Sequence, residues 1–85
     1  MNNRANEQLV SNAAGLSELL RKRRKSRKKT QLELAAKLGL SQARFSTLES
    51  NPDGFTLARL IALANLLGLE IVIRERLANK STAGW

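Results

Sequence analysis

Apolar positions along the chain keep helical spacing for most of its length and change to strand spacing once. Leu16, Leu19 and Leu20 fall at i, i+3 and i+4 and predict a first helix reaching about Ser26, with Ser11 or Asn12 as its cap. After Leu20 the apolar residues stop, so the second half of that helix is solvated or faces phosphate. Leu34, Ala35 and Leu38 repeat the spacing in a second helix that Thr30 caps and Gly39 ends. Leu40 turns inward, and Ser41 opens a third helix from Gln42 to about Ser50, with Phe45 and Leu48 as its apolar positions. Asn51-Pro52-Asp53-Gly54 is a turn: Pro fixes φ, Gly permits a positive φ, and Asn and Asp bond back to their own backbone. Thr56 caps a fourth helix whose Leu57, Leu60, Ile61, Ala64 and Leu67 are expected to floor the core. Arg59 and Asn65 mark its wet side, and Gly68 ends it.

Residues 69–76, LEIVIRER, change period. Leu69, Ile71 and Ile73 fall on one face, and Glu70, Val72, Arg74 and Arg76 on the other, which reads as a β-strand. A lone strand has unpaired backbone groups, and the same strand of a second copy, antiparallel across a two-fold axis, is the simplest partner. Leu69, Ile71, Val72 and Ile73 are thus expected to join a homodimer. The competing reading extends the fourth helix or leaves an irregular arm. The expected organisation is a polar arm over 1–10, a four-helix domain over 11–68, the dimerising strand over 69–76 and a tail over 77–85.

Composition narrows the function. The chain has 85 residues and neither Cys nor His. A domain this small buries little of its surface, and no disulfide can compensate, which again favours a dimer. The acids, Glu7, Glu18, Glu33, Glu49, Asp53, Glu70 and Glu75, are scattered. No zinc spacing, nucleophile–base pair or phosphate-cradling glycine loop can be built from these residues, so neither an enzyme nor a metal or other cofactor is expected. No apolar run suits a membrane span or a signal peptide, and a cytoplasmic protein is expected. The net charge is +8, and residues 21–29, RKRRKSRKK, hold eight of the fifteen basic residues. A positive field concentrated in one patch points to a polyanion.

The third helix shows what kind. Two short helices joined by a tight glycine turn match the helix-turn-helix pattern. The second of them carries Ser41, Gln42, Ala43, Arg44, Ser46 and Thr47 away from its apolar positions, and these residue types read base edges in the major groove. Ala43 can touch a thymine methyl or simply let two helices pack. Arg44 can meet a guanine or a phosphate. Arg23, Lys25, Arg27, Lys28, Lys29, Thr30 and Asn51 are the candidate phosphate contacts, with the amides that open the second helix.

Residues 20–50 resemble the Xre/Cro-type helix-turn-helix repressors in Leu20-Arg21, Arg23-Arg24-Lys25, Thr30-Gln31, Leu34-Ala35, Leu38-Gly39, Ser41-Gln42-Ala43 and Leu48-Glu49. The resemblance implies an all-α, lambda-repressor-like fold. It puts Gln42 at the adenine-reading position and Gln31 at a phosphate-contacting one, and it pairs Arg24 with Glu49 as a structural ion pair. A narrower resemblance, to HipB-type antitoxins, rests on Asn51-Pro52-Asp53, Leu67-Gly68-Leu69, a strand in place of a fifth helix and the terminal Trp85. It implies a dimeric repressor of its own operon that binds a HipA-like kinase toxin, with Trp85 docking in a toxin pocket. The chain departs from the pattern at Arg27-Lys28-Lys29, where such repressors carry a Leu-Gly-Leu-like turn. Lys28 stands where glycine would take a left-handed conformation, so the turn is strained or shaped differently. Two other readings stand beside the antitoxin: an Xre-type regulator with no toxin partner, and a protein-interaction module for which DNA is incidental.

Overall fold

The computed structural model describes residues 7–76. Four helices carry it: α1 (Ala13–Ser26), α2 (Gln31–Leu38), α3 (Gln42–Ser50) and α4 (Leu57–Leu66), with a 3-10 turn at Pro52–Gly54 before α4. Each helix opens on a side chain that accepts from the third amide beyond it. Asn12 accepts from Gly15, Thr30 from Glu33, Ser41 from Arg44 and Thr56 from Arg59. At α2 the arrangement is reciprocal, because the Glu33 carboxylate accepts from the Thr30 amide at 2.8 Å.

Three helices also end alike. The amides of Lys28, Gly39 and Gly68 donate to the carbonyls of Lys25, Ala36 and Asn65. The next amides, of Lys29, Leu40 and Leu69, reach back to Arg24, Ala35 and Ala64. This paired closure requires a left-handed residue. Gly39 and Gly68 supply it with φ of 72°, and Lys28 does so with φ of 57°. The departure noted in the sequence is therefore resolved as strain: the turn keeps its shape, and a lysine occupies the glycine conformation. Lys29, in the apolar plug's place, is exposed.

α2 packs on α3 and α4, and α1 packs on α3 and the 3-10 turn. The core joins Leu20, Leu34, Ala35, Leu38, Phe45, Leu63 and Leu67, with Leu16, Leu40, Leu60 and Leu69 against its edge. Phe45 and Phe55 meet edge to face, with centroids 6.5 Å apart. Two residues expected in the core floor are outside it: Leu57 is 69% exposed, and Ile61 is also exposed. α4 turns Leu63, Ala64 and Leu67 inward, which leaves Leu57 and Ile61 as an exposed apolar flank beside that buried face.

Residues 69–76, expected as a strand, form neither strand nor helix among the described residues. A strand exists only as part of a ladder, and one copy of the chain supplies no partner there. Leu69 packs against the core, while Ile71, Val72 and Ile73 are exposed, Ile73 at 95%. Arg74 Nη2 lies 2.8 Å from Glu7 Oε1, so the chain's two flanks touch. Most of the expected arm, the tail 77–85 and the docking role of Trp85 lie outside the described residues. Among the described residues, no helix is long and apolar enough to cross a membrane.

The strain at Lys28 is testable. A left-handed L-residue costs about 1 kcal/mol, partly offset in a Lys28→Gly variant by glycine's greater freedom in the unfolded chain. Thermal unfolding followed by circular dichroism is expected to show Lys28→Gly melting roughly 3 °C above the parent. Gly39→Lys, which introduces the same strain, is expected to melt lower.

Candidate nucleic-acid interface

The candidate reading helix is held by one buried carboxylate. Glu49, 1% exposed, lies on the inner side of α3. Its Oε2 accepts from Arg24 Nε at 2.7 Å, and its Oε1 accepts from Arg24 Nη2 at 3.1 Å and from Gln31 Nε2 at 2.9 Å. Arg21 Nε stands 3.8 Å from the same Oε1. The Glu49 carbonyl also accepts from the buried Ser17 hydroxyl at 2.6 Å. Arg24 Nη1 donates to the Lys29 carbonyl at 3.1 Å, so this arginine braces the strained turn as well as α3. One carboxylate thus ties α1, α2 and α3 together, and no buried side-chain nitrogen or oxygen among the described residues lacks a partner.

Burial by itself pushes the Glu49 carboxyl up. The hydrogen bonds from Arg24 and Gln31, then the charges of Arg24 and Arg21, outweigh it and hold the group below its ordinary value of 4.5. Glu33 is also held down, by the Thr30 amide first and then the Thr30 hydroxyl.

With Phe45, Leu48 and Glu49 turned inward, α3 presents Ala43, Thr47 and Ser50 on its outward line. Gln42 and Arg44 flank this line at its exposed N-terminal end, and Ser46 is half-buried. Of the expected reading residues, Ala43 and Thr47 thus share the outward line, Gln42 and Arg44 stand on opposite sides of it, and Ser46 is turned part-way inward. Two carry structural duties too. The Ser41 hydroxyl oxygen caps α3, accepting from the Arg44 amide at 3.0 Å. The Thr47 hydroxyl donates to the Ala43 carbonyl at 3.2 Å, so what Thr47 presents outward is a methyl group and an oxygen.

The expected phosphate set divides. Lys25, Lys28, Lys29 and Asn51 are exposed. Arg23 is turned away from α3: its Nε donates to the Leu67 carbonyl at 3.1 Å, at the C-terminal end of α4. The Arg27 guanidinium lies against Gly68, where a Cβ would collide with it. A helix C-terminus carries partial negative charge, and both arginines sit where it is felt. The Thr30 hydroxyl both accepts from the Glu33 amide and donates to the Glu33 carboxylate, so it is engaged within the protein. Gln31 gives one amide hydrogen to Glu49 and retains the other. The Thr30-x-x-Glu33 spacing was a readable signal of that capping box. The buried role of Ser17 and the turning of Arg23 and Arg27 have no local signature in the sequence.

The helix-turn-helix family model (HTH_3) matches residues 20–73. The chain is a HipB-like member of the helix-turn-helix family. A HipB chain in a HipA-HipB-O2-O3 complex is 30% identical, with a TM-score of 0.71, covering 81% of this chain and 97% of that one. A chain of a HipB-O1-O2 complex is 30% identical with a TM-score of 0.70, over 81% of this chain and 100% of the other. A chain of a HipB-O4 20mer complex agrees to the same degree, over 81% and 97%. No curated protein sequence matches the chain. This HipB-like chain owes the hold on α3 to the Arg24–Glu49 pair.

Two outcomes follow from that pair. Glu49→Ala leaves Arg24 largely buried and unpaired and is expected to cost about 3 kcal/mol in urea unfolding. Because the folded Glu49 value is depressed, its contribution is present above about pH 4.5 and is lost as pH falls through the lower folded value. Stability measured between pH 6 and pH 3 is expected to decline less steeply in Glu49→Gln than in the parent.

Proposed function

We propose that this protein is a homodimeric, sequence-specific DNA-binding repressor and the antitoxin of a HipA-like kinase toxin, autoregulating the operon that encodes both. The observation that carries the reading is the outward face of α3, small and polar, carried on a network that fixes the helix on its inner side. Small side chains allow close approach to a groove floor. Gln42 is suited to bond an adenine edge bidentately, Arg44 to meet a guanine or a phosphate, and Ala43 and the Thr47 methyl to meet thymine methyls. Lys25, Lys28, Lys29 and Asn51 supply phosphate contacts on either side, joined by the second amide hydrogen of Gln31.

Similarity to HipB in complexes with O1, O2, O3 and O4 and with HipA supports both partners. The exposed apolar side chains of Leu57 and Ile61 and of Ile71, Val72 and Ile73 support a second copy, with residues 69–76 pairing antiparallel across the two-fold axis. Two α3 helices then read half-sites about one helical turn apart. Trp85, at the end of the tail, is assigned to the toxin, because an aromatic side chain is well suited to anchor an interface. The protein works in the bacterial cytoplasm, on the nucleoid when bound to its operator.

Footprinting on the DNA upstream of the gene is expected to protect a pseudo-palindrome. A footprint without two related half-sites would sink the repressor reading. Gln42→Ala is expected to lower discrimination at one base pair of each half-site by about 1–3 kcal/mol. Deleting residues 77–85 is expected to weaken toxin capture and leave operator binding intact. Loss of operator binding on that deletion would show that the tail serves DNA instead.

A further inference from the structure

The arginines of α1 fall in two rows. Arg23 and Arg27, four residues apart, face the end of α4. Arg21 and Arg24 face α3, where both reach Glu49 and Arg21 also reaches Ser50. We propose that Arg21, together with Ser50, forms a DNA phosphate clamp at the C-terminal end of the reading helix. This assignment rests on the DNA-binding reading above and adds a contact that the basic run alone does not single out.

Three observations carry it. First, position: Ser50 follows Ala43 by seven residues and so lies on the same line of α3, about 10 Å further along the axis. With the N-terminal residues of α3 at the base edges, a group two turns further along stands clear of the bases that Ala43 faces, at the level of the backbone. Second, charge: Arg21 and Arg24 share one carboxylate, so the cluster keeps one uncompensated positive charge. The Arg24 side chain is 11% exposed and the Arg21 side chain 41%. The excess charge is therefore presented to solvent by Arg21. Third, spare donors: the guanidinium has five N–H groups. Its Nε faces Glu49 and one Nη2 hydrogen meets the Ser50 hydroxyl oxygen at 3.3 Å, while both Nη1 hydrogens and the second Nη2 hydrogen remain. The Ser50 hydroxyl accepts from Arg21 and keeps its own hydrogen to donate. A phosphate oxygen pair at this point would take both without displacing Glu49.

The test is the salt dependence of binding to a generic 25-base-pair duplex, followed by fluorescence anisotropy over a series of KCl concentrations. For the parent, the logarithm of affinity is expected to fall linearly with the logarithm of salt. Arg21→Gln is expected to reduce that slope by about one and weaken binding about ten-fold near 0.1 M salt, whereas Arg21→Lys keeps the slope. Arg23→Gln, on the α4 row, is expected to leave the slope unchanged. A folded Arg21→Gln protein with the parental slope overturns the assignment, as does a slope that responds to Arg23 and not to Arg21. Should Arg21→Gln fail to fold, Ser50→Asp sets a carboxylate beside the guanidinium and is expected to lower the slope similarly, and an unchanged slope in that variant also overturns the clamp. A parent with no salt-dependent duplex binding removes the DNA reading itself, and the clamp with it.

Discussion

The Arg24–Glu49 pair is the contact on which the other arrangements depend. Two charges are withdrawn from water, and such a pair is tolerable only if its remaining polar valences are filled. Here they are, by Gln31 on one carboxylate oxygen and the Lys29 carbonyl on the arginine. The paired charges stand on α1 and α3, and the groups that complete them come from α2 and the turn before it. The solvation requirement of one pair therefore fixes the first three helices relative to one another. An apolar contact of similar size would hold them together but would not specify the rotation of α3 about its own axis. That rotation determines which side chains meet a groove.

The same pair explains why the basic run does not act as a uniform patch. Eight like charges in nine residues would repel if all pointed outward. Four of them are arginines, and α1 turns these toward Glu49, Ser50, the Leu67 carbonyl and Gly68. The lysines at 25, 28 and 29 are left in solvent. Arginine's planar fork suits it to partly buried partners, and lysine's hydrated ammonium suits the surface. A segment that reads as one electrostatic feature thus divides into an inner scaffold and an outer field.

Much of the fold could be read from local chemistry, because a helix cap, a glycine turn and an apolar period are local. Asn12, Thr30, Ser41 and Thr56 cap where their residue types say they should, and Gly39 and Gly68 end helices as expected. Readings that depended on rotation or on a second chain did not carry over as easily. The period of α4 marks Leu57 and Ile61 as apolar, but it does not say which side of an almost wholly apolar helix meets this core. Arg23 and Arg27 look like their neighbours until α4 ends beside them. Residues 69–76 have strand composition, and a strand's existence is a property of its partner. In the candidate site, the residue types on α3 were readable one by one, while their hold on Glu49 through Gln31 depended on distances between helices.

Gly39 and Gly68 share a backbone conformation but not a surrounding. Beside Gly39 nothing lies within 4 Å of where a side chain would begin, whereas at Gly68 that space belongs to Arg27. The first position is limited by backbone preference alone, so an asparagine, which tolerates the left-handed region, can stand there. The second is limited by shape as well, and no side chain fits until Arg27 moves. A side chain at residue 68 would first displace the Arg27 guanidinium, which couples the basic run to the turn from which residues 69–76 depart.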